Sequence, residues 1–219
     1  MTHWTNTSRL GRWALAGWLA AAALAVPGRG EATTFAQMST AQFVDASTYI
    51  VRGRVLEVWT ERTDDDLVWT MARVRVDETL KGPDAPAELV VSSLGGSHGD
   101  LTVTVSAAAQ FTPGEPALFF LDQKERTGRL VPVAKFLGVR LIRRVPGTHS
   151  YYANAFHPQV GVANDARFLP HPVAEERTDL DVLLGEIRDR LATGWDGTPV
   201  PGIAGEKLLR INSPERRLR

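Results

Sequence analysis

The feature that most constrains this chain is a two-residue alternation of apolar and polar side chains that recurs between turn signals. Val68, Thr70, Ala72, Val74 and Val76 line one face of a long run, while Trp69, Met71, Arg73 and Arg75 line the other. Successive strand side chains point to opposite faces, so such a run buries one side and exposes the other. Tyr49–Val58 alternates in the same way, with Tyr49, Val51, Gly53 and Val55 together. Gly53 inside it predicts a bulge or a close backbone approach. Glu88–Ser92 and Leu101–Val105 are further strand signals, and Ala117–Leu121 is apolar throughout, as a strand buried on both faces would be. Leu130–Phe136 and Val139–Ile142 complete the set. Turn residues at Thr63–Asp66, Leu80–Pro83, Gly95–Gly99 and Pro113–Pro116 separate the runs. Short strands between Gly/Pro turns predict a mainly β domain, a small barrel or sandwich.

Two helices flank these strands. Ser39 is placed to cap a short helix through Ala46, with Phe43 and Val44 facing inward. Residues 178–193 predict an amphipathic helix capped by Thr178, with Leu180, Leu183, Leu184, Ile187 and Leu191 on one stripe and Gly194 just past its end. Such a stripe predicts a helix docked on the barrel. Residues 145–175 have weak periodicity and read as an extended hairpin or excursion. Residues 194–219 are rich in Pro, Gly and charge and read as a flexible tail.

The N-terminus reads as an address. Arg9 and Arg12 precede an uninterrupted apolar run over residues 13–26, too short to span a bilayer comfortably. Pro27 then breaks the run, and Gly30 and Ala32 stand at the −3 and −1 positions of a cleavage site. This is the pattern of a secretory signal peptide over residues 1–32, with an earlier cut after Ala25 as the competing choice. Removing it leaves a single barrel domain over 33–193 and the tail. The mature chain then carries 22 basic and 24 acidic residues. Such balance lacks the basic footprint of a nucleic-acid binder. The chain has no cysteine, which excludes a thiol nucleophile, a Cys-ligated metal centre and a disulfide framework. An exported protein without disulfides suits a bacterial periplasm or the surrounding medium.

Few residues point to chemistry. Gly95-Gly96-Ser97-His98-Gly99 matches the letters of a hydrolase G-x-S-x-G, but that motif needs a strand–turn–helix context. Here the residues after it alternate like another strand, so a glycine-rich inter-strand loop is the plainer reading. His98, His149, His157 and His171 lack the close spacing that pre-arranges a zinc site. Asp64-Asp65-Asp66 lacks the glycine and distal Glu of an EF-hand loop and reads as a solvated turn. Tyr151, Tyr152 and Phe156 place aromatics in an irregular segment, where they serve either as interface anchors or as cover for one end of the barrel. No cofactor or metal is expected.

Ala46–Val55, the long strand ending in Leu80–Pro83, Gly95-Gly96, Gly114-Glu115 before a hydrophobic strand, and Phe136-Leu137-Gly138 together form a recognisable arrangement. Over about residues 40–142 the chain resembles small secreted bacterial domains of uncharacterised role, some of which accompany metallopeptidases. More distantly it is similar to the OB-fold netrin-like module of the tissue inhibitors of metalloproteinases. The resemblance implies a five-stranded Greek-key barrel with extra strands. Those inhibitors reach their target's zinc through an N-terminal cysteine, which this chain lacks, so that function does not carry over.

The resulting expectation is an exported, non-enzymatic β-barrel binding module. Its partner would be a protein such as a secreted peptidase, with no nucleic acid and no membrane attachment after signal cleavage. The expected contact surfaces are Gly95, Gly96, Ser97, His98 and Gly99, and Tyr151, Tyr152 and Phe156. The alternatives are a secreted serine hydrolase using Ser97 and a histidine-based metal-binding protein.

Overall fold

A computed structural model describes residues 34–36, 38–83, 86–155, 161–163, 177–205 and 207–208. The chain divides into two compact units, Met1–Glu31 and Ala32–Arg219, and every described residue lies in the second. The residues read as a signal peptide therefore fall outside the description. In order, the elements are β1 (Thr34–Ala36), α1 (Thr40–Ala46), β2 (Tyr49–Arg62), β3 (Val68–Lys81), β4 (Glu88–Leu94), β5 (Gly96–His98) and β6 (Leu101–Val103). They continue with β7 (Pro116–Gln123), β8 (Leu130–Pro132), a 3-10 turn (Lys135–Gly138), β9 (Val139–Arg144), β10 (Tyr151–Asn154), β11 (Gly161–Ala163), β12 (Thr178–Asp179) and α2 (Leu180–Thr193).

The main sheet runs β12-β10-β9-β7-β2-β3-β4-β8, and β7 also pairs with β8. This second pairing curls β2, β3, β4, β8 and β7 into a ring. β2–β3–β4 is an antiparallel meander, β7 pairs antiparallel with β2 and β8, and β8 meets β4 in parallel. The fold is mainly β, an OB-fold-like Greek-key barrel with a short N-terminal helix and a C-terminal amphipathic helix. Ring closure is partial, because β4 and β8 meet at the single pair Val91↔Leu130. β9, β10 and β12 extend the sheet from β7, while β5 and β6 form a separate hairpin.

Strand alternation sorts the core into two layers. Val51, Val55, Ala72, Val74, Val91, Ala117, Phe119 and Leu121 fill the barrel. Ile50, Leu118 and Phe120 point the other way and meet Phe43 and Val44 of α1 and Leu180, Leu183, Leu184 and Ile187 of α2. β7 is thus buried on both faces, as its unbroken apolar run predicts. Gly53 sits at a register shift between β2 and β3, where an added Cβ would lie 2.3 Å from the Arg75 carbonyl oxygen. That approach admits only glycine.

Several expectations need correction. The strand signal over Leu130–Phe136 stops at Pro132. Ala134 and Lys135 take left-handed backbone angles, φ 50° and 58°, and turn the chain into the 3-10 turn. The strand signal over Leu101–Val105 ends at Val103. The cap of α2 is Asp179, whose carboxylate accepts from the Asp181 and Val182 N–H groups, while Thr178 lies in β12. The segment read as a tail is docked as far as Leu208. Leu208 is fully buried, Val200 is 3 % exposed, and Trp195 and Ile203 pack against the same core. Lys207 Nζ also reaches Asp122 Oδ2 at 2.7 Å. Four apolar residues in a polar stretch suffice to hold the chain to the surface. Residues 209–219 are outside the description.

The docked segment is tied to both helices through Arg190. Its guanidinium donates to Asp45 of α1 at 3.1 and 2.5 Å and to Asp196 at 3.0 and 3.1 Å. Hydrogen bonds from Arg190, then from Thr198, hold the Asp196 carboxyl well below its ordinary 3.8. A carboxyl depressed by folding stabilises the protein above its unfolded pKa, and that contribution is lost as pH falls toward the folded value. Asp196→Asn should therefore lower Tm slightly at pH 7, and the gap to the parent should narrow progressively as pH falls from about 4 toward 2. A gap that is constant across thermal melts at these pH values would refute the assignment.

Candidate functional site

The helices cover the outside of β7 and the start of β2. Farther along the ring, β2, β3 and β4 turn a different set of side chains outward. Val68, Ala72 and Val74 are buried inside the barrel and their strand neighbours Trp69, Met71 and Arg73 take the opposite face, where Trp69 is half-buried, Arg73 is exposed and Met71 is itself covered, at 6 % exposure. Register sets Glu61 beside Trp69, Trp59 beside Met71 and Glu57 beside Arg73. On the other side it sets Leu94, Ser92 and Val90 against the same three. The outer face thus concentrates two tryptophans, a methionine and an arginine on adjacent rungs.

Charged groups organise this face. The Arg73 guanidinium lies 5.8 Å from the Trp59 ring centre and 3.3 Å from Glu57. Trp59 Nε1 donates to Glu61 Oε1 at 3.0 Å. Arg129, from the loop between β7 and β8, extends onto the face. Its guanidinium stacks 5.1 Å from the Trp69 ring centre, approaches Met71 Sδ at 3.2 Å and meets Glu61 Oε2 at 3.5 Å. Arginine over tryptophan is a favourable pairing.

Where the ring is incompletely closed, the gap between β4 and the β7–β8 loop forms a groove of about 340 Å³. Met71, Leu89, Val90 and Leu130 supply apolar wall, and Gln123 and Arg129 supply polar groups. The groove and the tryptophan–arginine face share Met71 and Arg129.

The residues selected from sequence lie elsewhere. Gly96, Ser97 and His98 form β5, and Gly95 and Gly99 flank it. The element after the G-x-S-x-G letters is a strand, so the nucleophile-elbow geometry is absent. Ser97 Oγ is bonded to Thr102 Oγ1 across the hairpin at 2.9 Å, and His98 Nδ1 faces the Thr60 carbonyl at 3.1 Å. Gly96 has φ +135°, and an added Cβ would lie 2.7 Å from Thr70 Oγ1. The glycines let the hairpin cross the ends of β2 and β3, a structural task.

Tyr151 and Tyr152 lie on β10, opposite Arg144 and Arg143 of β9. Tyr151 is exposed, and Tyr152 is stacked by the Arg177 guanidinium at 4.9 Å. Phe156, His157 and His171 lie outside the described residues. Among the described residues no group of three or more His, Asp or Glu is arranged to hold a metal. The Asp64–Asp66 run is a turn, with Arg62 on Asp66 at 2.6 Å and the Thr63 hydroxyl on Asp65 at 2.5 Å.

Sequence reasoning put Trp69, Met71 and Arg73 on the outward face of a strand but gave that face no role. The signal was two tryptophans sharing strand faces with charged residues, Trp59 two residues from Glu61 and Trp69 four residues from Arg73. Arg129 gave no local signal. No protein-family model matches the chain, and no curated protein matches it.

Proposed function

We propose that this chain is an exported, non-catalytic binding module of OB type whose partner is a protein, such as a secreted peptidase. The observation that carries the reading is the Trp59–Trp69–Met71–Arg73–Arg129 patch on the outer face of β2 and β3. Tryptophan and arginine dominate the binding energy of protein interfaces, and methionine is enriched there too. In OB barrels the face of the second and third strands, with the loop joining the fourth and fifth, is where ligands bind. In this ring those are β3, β4 and the loop that carries Arg129. Arginines and glutamates alternate on the patch, which suits a protein surface better than a polyanion. Export is supported by the pattern of residues 1–32.

Affinity capture tests the reading. The mature chain would be immobilised and exposed to envelope and medium proteins of its own source. Trp69→Ala and Arg129→Ala should each weaken retention of a stoichiometric partner by about tenfold or more, as hot-spot truncations do. Tyr151→Ala should retain it. A partner indifferent to Trp69 and Arg129 but lost with Tyr151 would move the interface to β10 and overturn this assignment.

A further inference from the structure

We propose that the seam groove is a strand-addition site, which takes an extended peptide bearing a carboxylate along the Glu88–Val90 end of β4. The inference rests on the protein-binding reading above and names the chemistry of the partner segment.

The backbone supplies the first argument. Gly95 N–H donates to Val68 C=O, and Val76 N–H donates to Ala87 C=O. In an antiparallel ladder, bonded residues alternate with residues whose N–H and C=O point to the opposite side. Odd-numbered residues of β4 therefore bond β3, and Glu88, Val90, Ser92 and Leu94 face the seam. There β8 engages β4 at Val91↔Leu130, a bridge that takes the Val90 C=O and the Ser92 N–H and leaves the edge open at Glu88 and the Val90 N–H. Among the described residues, no strand pairs with the seam side of β4 at Glu88. An edge of this kind is a template for another strand. The edge also borders the groove, whose walls include Leu89, Val90 and Ser92.

Charge supplies the second argument. Arg129 is the one ionised side chain in the groove wall. Its carboxylate partner Glu61 stands outside the wall at 3.5 Å, long for a charge-assisted bond. The rest of the lining is apolar or neutral. A peptide strand that places apolar side chains on the groove floor and an acid beside Arg129 complements it. Main-chain hydrogen bonds would give affinity, and the acid and the apolar pockets would give specificity.

The test uses the full chain, labelled with nitrogen-15, and two synthetic octapeptides. One is acetyl-(Val-Asp)4-amide and the other acetyl-(Val-Asn)4-amide. The acidic peptide should bind about tenfold more tightly, the worth of one charge-assisted contact. Binding should shift the amide resonances of Glu88 and Val90. Arg129→Gln should abolish the preference for the acidic peptide. N-methylation of alternate peptide amides should reduce binding about tenfold, and this control leaves the protein's fold untouched. Val90→Glu, which also removes an apolar wall contact, should weaken the acidic peptide more than the neutral one.

Equal binding of the two peptides, indifference to N-methylation, or no binding at about 1 mM would each overturn the inference. So would resonance shifts confined to Tyr151–Asn154. If both peptides fail while capture yields a partner lost with Trp69→Ala, the groove assignment falls and the protein-binding reading stands. If neither peptide nor captured protein depends on Trp69 or Arg129, both fall.

Discussion

Replacing Arg190 with methionine is expected to cost about 3–5 kcal/mol, the penalty for stripping one partner from a buried ion pair. Asp45 is 2 % exposed and Arg190's side chain 11 %, so water does not solvate the abandoned carboxylate. Asp45 lies on α1, with Phe43 and Val44 of the same helix buried beside it. Arg190 sits in the last turn of α2, and Asp196 follows in the docked C-terminal segment. One guanidinium therefore fastens three pieces of chain. A domain of this size loses about 2–4 °C of Tm per kcal/mol, so a fall of about 6–20 °C is expected in thermal melts. Asp196→Asn should cost far less, because Asp196 is exposed and water replaces the lost pair. Adding Asp45→Asn to Arg190→Met should recover part of the loss, since the buried charge then disappears. A Tm change below about 2 °C for Arg190→Met would contradict the picture.

Local periodicity made much of this fold legible. The alternation in Val68–Val76 and the apolar run Ala117–Leu121 are imposed by burial on each strand's own residues, so they appear in one stretch of sequence. The Ser39 cap and the leucine stripe of α2 are equally local. Ring closure is not. The Val91↔Leu130 contact joins strands far apart in sequence, and no spacing announces it. Pro132 and the left-handed Ala134 and Lys135 ended a strand that composition alone would have extended. The docked segment was misread because its apolar anchors, Trp195, Val200, Ile203 and Leu208, are diluted among Gly and Pro. The candidate site followed the same rule. Trp69, Met71 and Arg73 were visible as one strand face, but the stacking of Arg129 on Trp69 is a tertiary event. The glycine-rich loop drew attention through its letters, whereas its glycines serve the backbone of a hairpin.

Phe119→Ala and Phe120→Ala are each expected to cost about 3–5 kcal/mol, yet to loosen different parts of the molecule. Both side chains are essentially buried, at 0 % and 1 % exposure. Phe119 points into the barrel with Val51, Val74, Val91 and Leu121. Phe120 points out of it, with its ring centre 5.3 Å from that of Phe43 in α1. Truncating Phe119 leaves a void next to β4, the strand that bounds the seam. Truncating Phe120 leaves a void beneath the helices. Native-state hydrogen exchange should separate the two, because local opening follows local packing. Phe119→Ala should accelerate exchange in β3 and β4 preferentially, and Phe120→Ala in α1 and α2. Ligand binding should follow the same division. A groove and patch built on β2, β3 and β4 require the barrel core, so Phe119→Ala should weaken partner retention in the folded protein while Phe120→Ala leaves it nearly unchanged. If the two variants exchange alike and bind alike, the barrel and helix layers act as one packed unit. The binding face could not then be assigned to the ring alone.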